Sequence, residues 1–404
     1  MRDTRITVLG SGHAGLVTAA GLASRGHWVI CADHDEPDVA VAGLLEPGLG
    51  ALVSDCVSAG RLSFTKRIRE AVADADAVFL CLPDVLAVVP EIRAVLPAGC
   101  VLVLRSTVPI GTADQVVMLL GRHDVPVVTN PGFVREGTAV RDFLQPDRIV
   151  VGCSDLEAGE FVAGLYGDPD VPVVITDQRT AEVAKYAATC FLAVKLSYIN
   201  SIARLCELVD ASASGVAAIM GYDHGIGPSH LCPGPGWGGS SLPDDTAALL
   251  RTADAVGLDF EVLRSAVEFN RSHQTVLAHR IYLAAGTGPV RIGVLGLTFK
   301  ANTDNLRESP ALAVTRTLIS LGAEVTAYDP TVSRLPNVLT VNDAHHVAKG
   351  AHAIAVLTEW EEFRHLDWEL MAQLMAGDVV IDTRNVLDHA TLHDAGLRLH
   401  GFGG

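Results

Sequence analysis

The sequence predicts an α/β protein in which two doubly wound parallel-sheet domains flank a helical middle. Three observations lead to this prediction. Short apolar runs alternate with helix-like stretches at both ends of the chain. About thirty residues near the centre show helical spacing without a glycine or a proline. Aromatic residues make up only 5% of the 404 residues, while Ala, Val, Leu and Gly dominate, as is typical of parallel α/β proteins.

The first domain is predicted over residues 1–176. Its short apolar runs suit strands that are buried on both faces of a parallel sheet. These runs lie at residues 6–9, 28–32, 77–82, 101–104, 125–128 and 149–151. The helix-like stretches between the runs place helices on both faces of that sheet.

The middle domain is predicted to be helical and to cover residues 177–286. Its first element is the long helix, expected over residues 180–211 and placed as a spine between domains. A loop follows at residues 225–243, where six glycines and four prolines exclude regular structure.

The third domain is predicted over residues 287–404, after a turn at 286–289. Strand-like runs return there, again separated by helix-like stretches. They lie at residues 290–295, 324–327, 353–357 and 379–381. The chain therefore ends in a second, smaller α/β domain.

Composition excludes several classes of partner. The chain has 30 Lys and Arg residues against 47 Asp and Glu, a formal net charge of −17, which argues against nucleic acid or an anionic membrane as partner. The eight cysteines form no CxxC pair and no metal-binding spacing, so we expect no metal and reduced thiols in a cytoplasmic protein. No leader peptide and no membrane-spanning apolar run is expected from the sequence.

A glycine-rich turn follows the first predicted strand and opens a helix. Gly10, Gly12 and Gly15 form the pattern GxGxxG, with His13 and Ala14 inside it, and Asp33 follows the second strand. Such glycines let a pyrophosphate approach the amides at a helix N-terminus, and the carboxylate binds a ribose hydroxyl. The first domain is therefore predicted to be Rossmann-like and to bind NAD, since an acidic residue disfavours the 2′-phosphate of NADP. We assign no chemistry to His13.

Several longer motifs, in order along the chain, make the sequence resemble the UDP-glucose/GDP-mannose dehydrogenase family. They are EPGL at 46–49, STVPIGT at 106–112, NPGFVREG at 130–137 with PDR at 146–148, the helix at 181–200, GPGWGGSSLPDD at 234–245, and GLTFK at 296–300 with RESP at 307–310. The resemblance implies two Rossmann-like domains joined by a long helix, a homodimer formed through that helix, and oxidation of the C6 alcohol of a nucleotide sugar by NAD. Family members carry out that oxidation twice, to the carboxylate, through a cysteine-bound intermediate that a glutamate helps water to hydrolyse.

The resemblance implies that this chain has the residues needed for the first oxidation. Lys185 and Asp245 match the residues that, with water, deprotonate the alcohol. Thr107 and Glu136 match a threonine and a second glutamate of the site, so both are expected to have catalytic and cofactor-binding roles. Arg307 matches an arginine that reaches NAD. Further substrate contacts are expected at Phe133, Val134, Arg135, Thr189, Gly236, Trp237, Gly238, Phe299, Lys300 and Arg384. Lys185 alone, without the resemblance, would also fit a surface lysine.

The departures from the family pattern fall on the second oxidation. Ser241 stands at the cysteine position and Gly132 at the hydrolytic glutamate position, while Thr189 replaces an asparagine. Gly225 and Asp244 stand where the family has an arginine and a lysine. Trp237 replaces a smaller aromatic residue, which predicts a smaller sugar pocket.

A serine hydroxyl is a poor nucleophile at neutral pH without a dedicated base. We therefore expect a two-electron oxidation to the aldehyde, or a transient oxidation that later returns the hydride, with Ser241 contacting the substrate or the cofactor. Two alternatives stay open, an ordinary four-electron 6-dehydrogenase and a non-catalytic homologue that serves as a subunit of a complex. A nucleophile relocated to Cys232 is a further, weaker alternative.

Overall fold

A computed structural model describes residues 3–34, 45–167, 170–286 and 288–403. The chain divides into two compact units, Met1–Ala187 and Ala188–Gly404. Each unit is an α/β structure built on one sheet, which confirms the predicted fold class. The predicted division into three domains at residues 176 and 286 stays a prediction, and the turn at 286–289 includes residue 287, which lies outside the described residues.

The described part of unit 1 holds an eight-stranded sheet in the order β3-β2-β1-β4-β5-β6-β7-β8. The strands are β1 (Arg5–Leu9), β2 (Trp28–Ala32), β3 (Leu62–Thr65), β4 (Ala77–Leu80), β5 (Val101–Leu104), β6 (Val127–Thr129), β7 (Ile149–Cys153) and β8 (Val173–Thr176). All neighbours pair in parallel except β6 and β7, which are antiparallel. The sheet is therefore parallel, as predicted, except at this pair, which the sequence does not reveal because a short apolar run has the same pattern in either direction.

Helices cover the two faces of this sheet. The described ones are α1 (His13–Ser24), α2 (Leu49–Ser58), α3 (Ile68–Val72), α4 (Val85–Ile92), α5 (Thr112–Leu120), α6 (Ala139–Leu144) and α7 (Leu156–Gly164). Alternate residues of β4 join different cores, with Phe79 packed on one face and Leu80 on the other. This burial on both faces explains why the strands are continuous apolar runs.

The long central helix, α8 (Gln178–Leu208), runs from unit 1 into unit 2. It begins two residues before the predicted start, because the side chain of Asp177 accepts hydrogen bonds from the amide and hydroxyl of Thr180 and so caps it. It ends before Asp210, whose φ of 54° is left-handed.

Unit 2 carries a six-stranded sheet in its described residues, wholly parallel, in the order β11-β10-β9-β12-β13-β14. The strands are β9 (Arg291–Leu295), β10 (Glu324–Tyr328), β11 (Leu339–Thr340), β12 (Ala353–Val356), β13 (Val379–Asp382) and β14 (Arg398–Gly401). The helices are α9 (Ala213–Gly221), α10 (Ser241–Ala255), α11 (Glu261–Ala284), α12 (Pro310–Ser320), α13 (Trp368–Leu374) and α14 (His389–Asp394), with 3₁₀ turns at Ala344–Ala348 and Glu361–His365.

The predicted loop at 225–243 ends earlier than expected. Ser241 is the first residue of α10, so Pro243 lies inside its first turn. A proline there removes an amide that has no partner within the helix, and it therefore does not break the helix. None of the described helices is both long and apolar enough to cross a membrane.

Candidate active site

The glycine turn after β1 leaves room for a dinucleotide. A Cβ atom at Gly10, where φ is +107°, would lie 2.4 Å from the carbonyl oxygen of Cys81. A Cβ atom at Gly15 would lie 1.9 Å from the carbonyl oxygen of Gly10. Beside Gly12, in contrast, such an atom would meet nothing within 4 Å, and no side chain caps the N-terminus of α1 there. The open space and the amides of the first turn fit the pyrophosphate of NAD.

Asp33 is fixed against this turn. Its Oδ2 atom accepts hydrogen bonds from the amide of Ser11 at 2.6 Å and from the hydroxyl of Ser11 at 2.8 Å. Its Oδ1 atom accepts from the amide of His34 at 2.7 Å. The carboxylate is half-buried at the carboxyl end of β2, where open α/β sheets bind their ligands. Its contact with the ribose stays a prediction.

His13 and Glu46 join three segments of unit 1. The buried Glu46 carboxylate accepts from His13 Nε2 at 2.7 Å, from the amide of Gly137 at 2.7 Å and from the amide of Ala139 at 2.8 Å. The glycine turn is thereby tied to the loop that carries Glu136, which is half-buried. No role was predicted for Glu46, although it opens the EPGL motif.

Lys185 is buried, with 8% of its surface exposed, so it is not the surface lysine that its position in the helix also allowed. Its Nζ atom lies 5.5 Å from the centre of the Phe133 ring. The guanidinium carbon of Arg148 lies 3.8 Å from the same ring centre. Phe133, beside Gly132, thus holds two cations against its ring, an arrangement that attracts positive charge through the ring quadrupole.

The structure also describes Thr107, Val134 and Arg135, three further predicted site residues of unit 1. Thr107 is exposed beyond the end of β5, and Val134 packs against the core. Arg135 donates to Asp142 through Nε at 2.9 Å and through Nη2 at 2.7 Å. Burial acts to raise the pKa of Asp142, but the hydrogen bonds from Arg135 and Thr138 outweigh it and hold that pKa below its ordinary value. Arg135 is therefore committed to an internal ion pair.

In unit 2 the glycine-rich loop before α10 is held by polar side chains of two helices. The amide of Gly234 donates to Asn200 Oδ1 at 2.8 Å, and its carbonyl oxygen accepts from His273 Nε2 at 2.9 Å. The amide of Trp237 donates to Asn270 Oδ1 at 2.9 Å, and its indole nitrogen donates to the hydroxyl of Ser197 at 2.9 Å. Trp237 is thus buried as an anchor of the loop.

The sequence did not predict Asn200, Asn270 and His273 as the polar side chains that hold this loop. The signal was available in part, because Asn270 and His273 are one turn apart and lie among the apolar positions of a predicted helix. A buried polar side chain in such a stripe needs a partner, and a loop that is rich in glycine offers backbone groups.

Close backbone contacts fix the rest of the loop. A Cβ atom at Gly238 would lie 1.9 Å from the carbonyl oxygen of Glu308, and one at Gly236 would lie 2.6 Å from Asn270 Oδ1. A Cβ atom at Gly239 would lie 2.8 Å from the ring of Phe299. The loop therefore packs directly on the segment that follows β9.

Arg384 belongs to the same group in unit 2. Its Nε atom lies 3.1 Å from Glu359 Oε2 and 3.1 Å from the carbonyl oxygen of Leu357, and Nη2 donates to the carbonyl oxygen of Phe299 at 3.2 Å. Lys300 Nζ lies 5.6 Å from the centre of the Phe299 ring. The structure thus brings Phe299, Lys300 and Arg384 together at the carboxyl edge of the sheet.

Helix α10 presents Ser241 and Asp245 one turn apart. Ser241 is exposed at its first position, while Asp245 is buried.

Thr189 and Cys190 are buried on α8, and Cys232 is exposed in the loop. Burial raises the pKa of Cys190 to about 12, with a further rise from Asp245, so its thiol stays protonated at neutral pH. Arg307 forms an ion pair with Asp244 at 2.7 Å.

Across the ranges that the structure describes, no three side chains of His, Cys, Asp or Glu come together as a metal site.

Comparisons with known proteins cover nearly the whole chain. Models of the UDP-glucose/GDP-mannose dehydrogenase family match as an NAD binding domain at residues 4–169, a central domain at 179–272 and a UDP binding domain at 293–389. A UDP-glucose 6-dehydrogenase of Rhizobium meliloti is 39% identical over 434 residues, covering 99% of each chain. One of Pseudomonas aeruginosa is 36% identical over 99% of this chain and 97% of its own.

Two solved dehydrogenase structures are similar to this chain over nearly its whole length. A UDP-glucose dehydrogenase from Pyrobaculum islandicum superposes with a TM-score of 0.88 at 32% identity, covering 99% of this chain and 98% of the other. A UDP-D-ManNAc dehydrogenase from Pyrococcus horikoshii superposes with a TM-score of 0.83 at 25% identity, covering 99% of both.

Proposed function

This chain belongs to the UDP-glucose/GDP-mannose dehydrogenase family, and we propose that it uses NAD to oxidise the C6 alcohol of a nucleotide sugar, or of a related nucleotide-linked substrate, by two electrons only. The product would be the aldehyde, or an alcohol again if the hydride is returned. One observation carries the restriction to two electrons. Ser241 and Gly132 replace, together, the nucleophile and the hydrolytic base of the family pattern.

The surroundings of Ser241 support this restriction. Its hydroxyl is exposed at the start of α10, and within the described residues it makes no hydrogen bond to a histidine or a carboxylate. A hydroxyl without such a base contains very little oxyanion at neutral pH. The buried thiol of Cys190 offers no substitute, because its pKa of about 12 keeps it protonated.

The chain has residues that match the family pattern for the first oxidation. We propose that Asp245, with water, accepts the proton of the alcohol, and that Lys185 stabilises the alkoxide. Lys185 is buried, so its charge acts at low dielectric. NAD, when bound, supplies the hydride acceptor. Gly12 and the first turn of α1 would bind its pyrophosphate, with Asp33 at the ribose.

The nucleotide of the substrate is assigned to unit 2. Lys300 and Arg384 are its candidate cations, and the packed loop at residues 234–239 forms the adjoining wall. Gly225 and Asp244 remove two further cations of the family pattern, so we leave the sugar and the base open.

We propose a homodimer through α8 and a cytoplasmic location. Phe191, Tyr198 and Leu205 recur every seven residues on this helix, and each exposes more than half of its surface. Such an apolar stripe on a helix fits burial against another helix. None of the eight cysteines, which all lie among the described residues, forms a disulfide, and this supports a reducing compartment.

The yield of NADH per substrate molecule tests the two-electron reaction. Purified protein is mixed with excess NAD and limiting nucleotide sugar, from a panel of UDP- and GDP-sugars, and the product is identified by mass spectrometry. We expect no more than one NADH per sugar, with an aldehyde or no net product. Two NADH and a uronic acid would show the ordinary four-electron reaction instead. NAD binding without turnover of any sugar would favour the non-catalytic alternative.

A further inference from the structure

Arg105 is a buried cation at the end of β5. Its exposed fraction is 9%, and its Nη1 atom donates to the backbone and side-chain oxygens of Asn130 at 3.2 and 3.1 Å. Among the described residues, no carboxylate lies within ion-pair distance of its guanidinium. A buried charge is costly unless it is paired, so this cation calls for an anionic partner.

The guanidinium is held in one orientation. Asn130 Oδ1 accepts a second hydrogen bond from the hydroxyl of Tyr166 at 2.5 Å, and Asn130 Nδ2 donates to the carbonyl oxygen of Val150 at 2.8 Å. Burial raises the pKa of Tyr166, so its hydroxyl stays protonated and remains a donor. Arg105 is therefore preorganised, which lowers the entropic cost of binding a ligand.

A cavity of about 40 Å³ adjoins Arg105. Arg148, Phe133, Asn130 and Tyr166 also line it. A volume of this size holds about two water-sized atoms, which suits the two oxygens of a carboxylate. Two acidic residues line the same cavity, but Asp142 is engaged by Arg135 and Asp147 is exposed.

Gly132 lies beside the guanidinium and brings no side chain to it. A Cβ atom at this position would lie 3.4 Å from Cζ of Arg105 and 3.5 Å from its Nε and Nη2 atoms, all ordinary contact distances. A side chain at residue 132 would therefore cover the cation without a clash. With glycine at this position, residue 132 supplies no carboxylate to Arg105.

We propose that this cavity recognises a carboxylate group, with Arg105 as the ion-pairing partner and Arg148 as the second cation. The planar guanidinium matches a carboxylate and forms stronger hydrogen bonds with it than with a neutral group. The inference rests on the proposed function in one respect, because it takes the carboxylate from a nucleotide sugar acid, which would bind as a ligand without being oxidised or formed by this chain. A free small carboxylate is the other source of the same chemistry.

Calorimetric titration of the NAD-loaded protein tests the assignment. UDP-glucuronate, which bears a carboxylate, is compared with UDP-glucose, which does not. The wild type is expected to bind UDP-glucuronate at least about tenfold more tightly, the usual effect of a charge-assisted hydrogen bond. Arg105→Met is expected to abolish this preference while leaving UDP-glucose binding unchanged. Arg67→Met, which removes an exposed arginine paired with Glu70, is the control and should keep the preference.

A second variant guards against misfolding of Arg105→Met. Gly132→Glu places a carboxylate of the chain itself over the guanidinium and should likewise reduce the tenfold preference to near unity. A preference that survives either folded variant overturns the proposal.

Acetate separates the two sources of the carboxylate. At equal ionic strength, acetate should raise the melting temperature of the wild type relative to chloride and should not do so for Gly132→Glu. If neither nucleotide sugar binds, the proposed function fails, and this acetate difference alone then decides the role of Arg105. Equal melting temperatures of the wild type in acetate and chloride, together with equal affinity for the two sugars, would refute the carboxylate site.

Discussion

The guanidinium of Arg307 donates to the carboxylate of Asp244 at 2.7 Å, and both side chains are about half exposed. The resemblance predicts that Asp244 takes the place of a lysine of the family pattern, and that Arg307 matches an arginine that reaches NAD. A candidate cofactor contact is thus held by an acidic neighbour on α10. Exposed pairs of this kind are weak, so the arginine is restrained rather than locked.

Asp244→Asn should release Arg307 and lower the KM for NAD by about 1.5- to 5-fold, the range that corresponds to an exposed ion pair. Arg307→Met should raise this KM. Steady-state kinetics at fixed substrate measure both effects. The matched control is Asp254→Asn. Asp254 lies on α10, as Asp244 does, and its substitution breaks an ion pair with Arg264, so the KM for NAD should stay unchanged. An unchanged or higher KM in Asp244→Asn would remove Arg307 from the cofactor site.

Ser241→Cys should restore a nucleophile at the start of α10. We expect the aldehyde to be captured as a covalent adduct, since a thiolate is far more nucleophilic than a hydroxyl. Intact-protein mass spectrometry during turnover should show a mass increase of one substrate, and the NADH yield per sugar should exceed one. Ser240→Cys, one residue earlier, should show neither effect. If the Ser241→Cys protein stays unmodified and still yields one NADH, the position is not close to the reacting carbon.

His273 should make the stability of unit 2 depend on pH. Burial lowers the pKa of this histidine, although its hydrogen bond to Gly234 opposes the shift. The folded protein therefore keeps it neutral at pH values where the unfolded chain, with a pKa of 6.5, binds a proton. Its contribution is fully present above pH 6.5 and is lost as the pH falls towards the lowered folded pKa, by at most about 1.4 kcal/mol per pH unit.

Urea unfolding between pH 7.5 and 5 measures this dependence. His273→Gln keeps a donor towards Gly234 but does not titrate, so its stability should vary less with pH. His279→Gln, an exposed histidine on the same helix, should behave as the wild type. Identical pH profiles for His273→Gln and the wild type would place the pH dependence elsewhere.

Leu205→Glu should separate the proposed homodimer. Leu205 is the last residue of the apolar stripe that the dimer would bury, and a charge there costs several kcal/mol because it loses its water shell without a partner. Light scattering coupled to size exclusion should give one chain mass for this variant and two for the wild type. Met118→Glu, an exposed apolar residue of α5 in unit 1, should stay dimeric. A monomeric wild type would exclude the proposed dimer.

Much of the fold follows from the sequence, for identifiable reasons. The turn at Gly10 and Gly15 was predictable because contacts of 2.4 Å or less leave no room for a side chain. The central helix was predictable from its uninterrupted spacing, within three residues at each end. Strands that are buried on both faces gave clear apolar runs, whereas their pairing direction left no mark, and the reversal of β7 was missed.

The site was less predictable, because its supports come from distant segments. Glu46 reaches the amides of Gly137 and Ala139, ninety residues away, and Arg105 depends on the exact position of Asn130 and Tyr166. Neither set of contacts leaves a local sequence pattern, because each depends on which strands lie side by side in the sheet. Lys185 could be identified only through its motif, as helical spacing alone did not distinguish burial from exposure.

The carboxylate of Asp33 that binds Ser11 has a counterpart in unit 2, where Asp329 accepts from the amide and the hydroxyl of Thr298 at 3.0 and 3.1 Å. Each half of the chain thus secures the turn after its own first strand by its own means. Mutations in one half can then accumulate without disturbing the turn of the other. A substitution that changes recognition at the sugar end therefore need not alter the glycine turn that is predicted to bind NAD.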